Sequence, residues 1–257
     1  MNVFGALSPF YYYIAMEKIS PPEIDRIALL NTFVDTMKQK LGSELISVIL
    51  FGSAAENRMR PQSDINLLVV LRSCQLETLN KINTDYREQR GLIKLTCLFL
   101  EKEDLPAAFI SFPIKFLDIS RRSQVLFGED LIPQIKIDPV HLKFQLQQTI
   151  LNLRIRLRER YTVASLRQEQ LVNIMNEFSG PLRSCAFSIA DIAGTSPKNP
   201  KQAMASFLES YFPDRAKTMG QTISTIREES GLSPEQIIPA FKDYFEILSK
   251  MQEVASR

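Results

Sequence analysis

Two short apolar segments, each bounded by small or polar residues, constrain the fold of this 257-residue chain more than any other feature. The first runs from Leu45 to Phe51 and stops at Gly52, and the second runs from Asp64 to Leu71. Continuous apolar runs of this length are typical of strands covered on both faces. A third run, Leu92 to Leu100, follows a segment of helical composition, Leu76 to Arg90. Strands that alternate with helices predict an α/β layer with a mixed sheet.

The second half of the chain has a different pattern, with helical periodicity and no strand signal after Asp130. Asp138-Pro139 opens a long helix, and Ser233-Pro234-Glu235-Gln236 is a capping box that opens the terminal one. Between them we expect a long helix that is interrupted at Gly180-Pro181, because proline cannot donate the hydrogen bond that a continuous helix requires. Shorter helices are predicted for residues 201–211 and 214–231. This half therefore predicts an all-α helical bundle.

The predicted organisation has three parts: an N-terminal arm at residues 1–20, an α/β domain at residues 21–137, and the helical bundle domain at residues 138–257. We expect a cleft between the last two. The arm is rich in aromatic residues, but it lacks the basic start of a signal peptide and is too short to span a bilayer. It is expected to cover the core of the protein itself or the surface of a possible homodimer.

Small and acidic residues stand at the ends of the two apolar runs, where they could bind a nucleotide. Glycine at position 52 lets the backbone approach a phosphate, and Ser53 would open a short helix whose amides could bind it. Asp64 and Asn66 are two apart on one strand, so they share a face. A carboxylate there could bind Mg²⁺ bridged to a triphosphate.

This pattern resembles the signature of the nucleotidyltransferase superfamily that includes DNA polymerase beta, namely Gly-Ser followed by Asp-x-Asp at the head of an apolar strand. Gly52, Ser53 and Asp64 match the signature, and an arginine-containing loop, here with Arg58 and Arg60, is usual between the two motifs. The resemblance covers residues 24–137 by motif. It implies that Gly52, Ser53 and the two arginines bind the nucleoside triphosphate, while Asp64 and Asn66 bind the metal.

The chain is also similar to small bacterial members of that superfamily, such as the aminoglycoside adenylyltransferases. Those proteins have an apolar strand that carries a third acid, then a segment ending in Phe-Gly-Glu, then a helical domain. Here the strand begins Ile93-Lys94-Leu95-Thr96, and Phe127-Gly128-Glu129 follows. In this alignment Lys94 stands where the third acid would be.

The acid set is therefore incomplete, since Asn66 replaces the second aspartate and Lys94 replaces the third acid. Asparagine can still coordinate Mg²⁺ through its carbonyl oxygen but adds no charge, and a protonated lysine cannot act as a ligand. We expect Mg²⁺ binding to be weak. Lys94 could instead pair with Asp64 or with a phosphate. Three residues are candidate replacement acids: Asp118, Glu129 and Glu77.

Two functions follow from this reading. In the first, the protein binds NTP with Mg²⁺ between its two domains, and transfer of a nucleoside monophosphate to a hydroxyl of a small molecule or protein is weak or lost. In the second, the protein is a non-catalytic regulatory or protein-interaction module built on the same fold, in effect a pseudoenzyme. A basic stripe on the first bundle helix, Arg154 to Arg160, could face the cleft, although such a run is usually a solvated face.

Composition limits the other possibilities. The net charge of +2 is too small to indicate general nucleic-acid or membrane binding. Three cysteines, Cys74, Cys97 and Cys185, have no paired spacing, so the sequence predicts neither a disulfide framework nor a zinc site. That is consistent with a reducing, cytoplasmic compartment.

Overall fold

The computed structural model describes residues 25–60, 63–164, 167–195, 197–228 and 231–257. The predicted N-terminal arm and the start of the first helix before Asp25 lie outside the described residues. Among the described residues, no helix has both the length and the apolar character needed to cross a bilayer.

The sheet contains four strands: β1 (Leu45–Phe51), β2 (Ile65–Leu71), β3 (Leu95–Glu101) and β4 (Ser123–Gly128), in the spatial order β3-β2-β1-β4. β1 runs antiparallel to both of its neighbours, whereas β2 and β3 are parallel. The parallel pair requires a crossover, and helices supply it. The predicted mixed sheet is confirmed, and β4 is an additional strand that the sequence pattern did not reveal.

Helices cover both faces of this sheet, as the unbroken apolar composition of β1 and β2 predicts. One face packs against α1 (Arg26–Leu41) and the crossover helices α2 (Leu76–Asn80) and α3 (Asn83–Ile93). The other face packs against α4 (Leu105–Ser111) and α5 (Pro113–Arg121). The segment predicted as one helix from Leu76 to Arg90 is thus two helices that meet at residues 81–82.

The remaining described helices form the second half: α6 (Pro139–Ala164), α7 (Gln168–Ile192), α8 (Pro200–Tyr211), α9 (Ala216–Arg227) and α10 (Pro234–Ala255). They share one apolar core, and the predicted capping box at Ser233 and Gln236 is present at the start of α10. The predicted interruption of α7 is wrong. Pro181 lies inside a continuous helix because its neighbours Phe178 and Leu182 are buried in the helical core and hold the segment in place.

Helix α5 contacts both halves of the molecule. Phe116 and Ile119 pack on the sheet, while Leu117 belongs to the core of the helical half. Gln145 of α6 strengthens this junction, because its Oε1 accepts from the backbone N–H of Ile114 at 3.1 Å and its Nε2 donates to the carbonyl of Ser111 at 2.7 Å. The domain boundary at residues 137 and 138 stays a prediction.

Candidate functional site

A cleft of about 790 Å³ opens between the ends of β1 and β2 and the helical half. This volume is in the range of pockets that bind small molecules and cofactors. The sheet side contributes Phe51, Gly52, Ser53, Glu56, Arg58, Arg60, Ser63, Asp64, Asn66, Phe112, Ile114, Lys115, Asp118 and Arg122. The helical side contributes Gln145, Thr149, Asn176, Gly180, Arg183, Ser184, Asn199, Pro200, Lys201, Arg227 and Glu228.

Gly52 ends β1 with a φ of +82°, a conformation that favours glycine. The Nδ2 atom of Asn66 lies 3.7 Å from the position that a Cβ on Gly52 would occupy, so the two residues face each other at the mouth of the cleft. Residues 52–57 form consecutive turns, and the predicted short helix after Ser53 is absent from this described segment. The N–H of Gly52 already donates to the carbonyl of Arg122 at 2.9 Å. Phosphate-binding amides would therefore have to come from residues after Gly52.

Asp64 and Asn66 flank Ile65, the first residue of β2, and both line the cleft. The carboxylate of Asp64 is exposed and its field acts on Arg26, a residue of α1 that the sequence analysis did not single out. Burial lowers the pKa of Arg26, and Asp64 opposes that effect. Arg26 Nη2 donates to the carbonyls of Ser63 at 2.5 Å and Ile93 at 2.6 Å. It therefore holds the start of β2 beside the start of β3.

The β3 residues nearest to this pair are Lys94 and Thr96. Thr96 is the register partner of Asn66, and the carbonyl of Lys94 accepts from the N–H of Ile65 at 3.2 Å. Lys94 has a left-handed backbone with a φ of +53° and an exposed side chain, and it does not line the cleft. The structure thus brings together Gly52, Ser53, Asp64 and Asn66, but not Lys94. Neither β3 position is acidic.

An ion-pair network that the sequence analysis only touched upon closes the sheet side of the cleft. Arg122 reaches Asp118 at 2.5 Å and Glu56 at 2.9 Å, and Glu56 also pairs with Arg58 at 2.6 Å. Burial raises the pKa of Asp118, and the charge and hydrogen bond of Arg122 oppose that shift. Asp118 is the candidate replacement acid that lies in the cleft. Glu77 and Glu129 do not line it, and Glu129 pairs with Lys102 at 2.7 Å.

The helical side of the cleft carries a second set of arginines that sequence reasoning missed. Arg183 of α7 and Arg227 at the end of α9 are half-buried, and Arg60 Nη1 donates to the carbonyl of Arg227 at 2.6 Å. Burial, reinforced by the neighbouring arginines, lowers the pKa of Arg227 to about 10 and also lowers that of Arg183. The predicted basic stripe of α6 does not line the cleft, and Arg160 pairs with Glu177 at 3.0 Å.

Donors for a metal are few. Among the described residues, no group of three or more histidine, cysteine, aspartate or glutamate side chains is arranged to hold a metal ion. Asp64 and Asn66 would supply one carboxylate and one amide oxygen. Mg²⁺ is commonly bound through one or two carboxylates together with substrate phosphates and water. The two residues fit Mg²⁺ that arrives with a nucleotide better than they fit a resident ion.

Comparisons with known proteins agree with this geometry. Residues 30–121 match the family model of the nucleotidyltransferase domain. A segment of 45 residues, 18% of this chain, is 44% identical to a protein of Methanocaldococcus jannaschii named "Putative protein adenylyltransferase". That segment spans 31% of the relative's length, about a third.

Among solved structures, the chain is similar to spectinomycin adenyltransferase AAD(9) from Enterococcus faecialis, which was crystallised with ATP and spectinomycin. The TM-score is 0.61 at 12% sequence identity, over 90% of this chain and 99% of that chain. At such low identity the likeness is one of fold. Residues 30–121 therefore match a nucleotidyltransferase domain, and the mixed sheet followed by an all-helical region is the fold of that adenyltransferase. Both the resemblance and the fold class expected from the motifs are confirmed.

Proposed function

We propose that the protein binds a nucleoside triphosphate together with Mg²⁺ in the cleft, and that its nucleotidyl-transfer activity is weak or lost. The observation that carries this proposal is the placement of Gly52, Ser53, Asp64 and Asn66 at one end of a single cleft. Arg58 and Arg60 line the same cleft and can contact phosphates. The structural relative was crystallised with ATP, which supports a nucleotide as the ligand.

The weak-activity part of the proposal rests on charge. Transfer requires an acceptor hydroxyl to attack the α-phosphorus while the bond to the β-phosphate breaks, pyrophosphate leaves and a base takes the hydroxyl proton. Bound Mg²⁺ would neutralise charge on the phosphates during this step. Among the described residues at the starts of β2 and β3, Asp64 is the carboxylate that lines the cleft, because Asn66 and Thr96 are neutral and Lys94 does not line it. Asp118 is the candidate replacement acid that lines the cleft, but its ion pair with Arg122 competes with a role as base.

A non-catalytic regulatory or interaction module is the second candidate, favoured by the same neutral positions at Asn66 and Thr96. Binding of labelled NTP, measured with and without Mg²⁺, separates the two. A catalytic or formerly catalytic site should bind NTP more tightly when Mg²⁺ is present, whereas a module that uses only its surface should show no such dependence. Under the first candidate, the acceptor would be a hydroxyl of a small molecule or a protein.

The direct test removes the two predicted contacts to the nucleotide. Wild-type protein should bind ATP with micromolar or weaker affinity in the presence of Mg²⁺, and the double variant Ser53→Ala/Asp64→Ala should lose that binding, because hydroxyl and metal contacts are both removed. Titration calorimetry measures both. Glu77→Ala/Glu129→Ala is the matched control, since both residues lie outside the cleft. Equal binding by the wild type and the Ser53/Asp64 variant would show that the site is assigned wrongly.

A further inference from the structure

The cleft has two walls with different electrostatics. On the sheet side, Arg58 and Arg122 are neutralised by Glu56 and Asp118 at distances of 2.5–2.9 Å. On the helical side, Arg183 and Arg227 come from two different helices and meet Arg60 of the β1–β2 loop. We name Arg60, Arg183 and Arg227 the arginine wall. The two sets of arginines face the same space but differ in how their charge is balanced.

The arginine wall has few partners of its own. Within the described residues, no carboxylate forms an ion pair within 4.0 Å of any of its three guanidinium groups. Arg183 Nε is buried and has no hydrogen-bond acceptor in the described part of the chain, and Nη2 reaches only Ser224 Oγ at 3.4 Å. Glu228 also lines the cleft and acts on Arg183 at longer range. Holding like charges together away from water costs free energy unless a ligand of opposite charge compensates them.

The geometry of the wall allows an anion to approach closely. Gly180 on α7 has no side chain, and a Cβ there would lie 3.7 Å from Arg227 Nη1, so this guanidinium packs directly against the backbone of α7 where that helix lines the cleft. Arg60 Nη1 donates to the backbone carbonyl of Arg227. This hydrogen bond does not involve the guanidinium group of Arg227. Planar guanidinium groups bind phosphate oxygens through paired hydrogen bonds, which an ammonium group cannot do.

We propose that the arginine wall binds a phosphate monoester of the acceptor, so that the molecule meeting the nucleotide in this cleft is itself an anion. This inference rests on the proposed function, in which the nucleotide occupies the sheet side at Gly52, Ser53 and Asp64. A polycationic acceptor would be repelled by three guanidinium groups, and a neutral acceptor would leave their charge uncompensated. The terminal phosphate of the nucleotide is the other possible source of the same chemistry, and the experiment is designed to separate the two sources.

The experiment titrates inorganic phosphate into protein already saturated with Mg²⁺ and a non-hydrolysable ATP analogue. Wild-type protein should bind phosphate under these conditions. Arg183→Gln/Arg227→Gln should bind phosphate at least about tenfold more weakly, equivalent to about 1.4 kcal/mol, while its affinity for the analogue is unchanged. The matched control, Arg156→Gln/Arg158→Gln, removes the same charge from two exposed positions of α6 outside the cleft and should behave as wild type. Arg183→Lys/Arg227→Lys tests the fold and should retain weakened phosphate binding.

Three outcomes would overturn the proposal. Phosphate that is displaced by the analogue, or a parallel loss of phosphate and analogue affinity in the glutamine variant, would assign the wall to the terminal phosphate of the nucleotide. Absence of phosphate binding to the wild type at millimolar concentrations would exclude an anion site. Equal phosphate affinity in the wild type and the glutamine variant would place the phosphate elsewhere. If the analogue itself does not bind, the proposed function fails, and the titration of ligand-free protein still decides whether the wall binds phosphate.

Discussion

Asn66 and Thr96 lie side by side at the ends of β2 and β3, two residues along the sheet from the exposed carboxylate of Asp64. Both are short, polar and uncharged, so in the proposed metal site Asp64 would supply the negative charge without help from these two positions. At a separation of a few ångströms and an effective dielectric constant of about 20, one unit charge changes the interaction with a nearby cation by about 4 kcal/mol before solvation offsets it. Charge at these positions should therefore control occupancy by Mg²⁺.

Restoring the acids tests that expectation. The variant Asn66→Asp/Thr96→Asp should bind Mg²⁺ with a nucleotide analogue at least about tenfold more tightly than wild type, because two carboxylates join Asp64 on one edge of the sheet. Metal titration in the presence of the analogue measures the change. A folded variant with unchanged Mg²⁺ affinity would refute the metal role of this edge.

The same titration compares the two possible third positions. Asn66→Asp/Lys94→Glu follows the alignment by motif, whereas Asn66→Asp/Thr96→Asp follows the register of the sheet. Both positions are exposed and neither lines the cleft, but Thr96 is the register partner of Asn66 whereas Lys94 precedes β3. The Thr96 variant should therefore bind Mg²⁺ more tightly than the Lys94 variant. The reverse order would support the alignment by motif.

At the scale of residues, the sequence could predict the positions that belong to a short local motif. Gly52, Ser53, Asp64 and Asn66 lie in the cleft because a strand, a turn and a second strand bring them together whatever the rest of the chain does. The prediction for Lys94 depended on a strand starting at Leu92, but α3 continues to Ile93. The arginine wall could not be predicted in this way, because Arg183 and Arg227 are far from the motif in sequence and resemble ordinary polar positions of amphipathic helices.

At the scale of elements, β4 is a strand that the local hydrophobic pattern of the sequence did not predict. Its burial alternates only in part, and its last residue is Gly128, with a φ of +80°. A Cβ at Gly128 would lie 1.9 Å from the carbonyl oxygen of Ile46, a backbone atom that cannot move aside without breaking the sheet. The Phe-Gly-Glu segment noted in the sequence thus marks the end of an edge strand that closes tightly on β1.

Substitution of Gly128 measures how much the close packing of β4 on β1 contributes to the free energy of unfolding. Gly128→Ala should reduce the free energy of unfolding by at least about 2 kcal/mol, because strain in the left-handed region adds to the clash with Ile46. Chemical denaturation of both variants is the measurement. Gly91→Ala in α3 is the control: nothing lies within 4 Å of its added Cβ, and the substitution should stabilise the helix by about 0.5–1 kcal/mol. Equal effects of the two substitutions would contradict the packing described for β4.

Helix α7 shows the opposite error, in which a local sequence rule predicts an interruption that the structure does not contain. Its Pro181 predicts an interruption, yet Phe178 and Leu182 of the same helix are buried in the core of the helical half. Burial of a large apolar side chain contributes about 1.5–3 kcal/mol, which is comparable to the cost of a proline inside a helix. Several such side chains in one helix outweigh a single missing hydrogen bond.

At the scale of the whole molecule, the charge of the arginine wall affects the free energy of unfolding. The pKa of Arg227 is lowered to about 10, so the folded state disfavours its charged form relative to the unfolded state. Between pH 10 and the usual range of arginine, the unfolded state binds more protons than the folded state, and this group therefore makes stability rise with pH in that window. At neutral pH Arg227 is charged in both states, and its burial is a net cost to the folded protein.

Neutralising this arginine should therefore stabilise the ligand-free protein. Such a lowering of pKa corresponds to an upper bound of about 3 kcal/mol, and solvent screening of this half-buried side chain reduces the expected gain to about 1 kcal/mol. Arg227→Gln should show a higher melting temperature than wild type at neutral pH, by calorimetry or circular dichroism. Arg158→Gln, on the exposed face of α6, should leave it unchanged. A lower melting temperature for Arg227→Gln would show that its packing outweighs its charge.

The hydrogen bond from Arg60 to position 227 joins segments 167 residues apart, and it ends on a main-chain oxygen. Any amino acid at position 227 offers that same oxygen, whereas only arginine at position 60 offers that reach and fork. Substitution of the Arg227 side chain therefore leaves this acceptor in place. The charge of the helical side of the cleft can be changed at position 227 without removing the link between the β1–β2 loop and the end of α9.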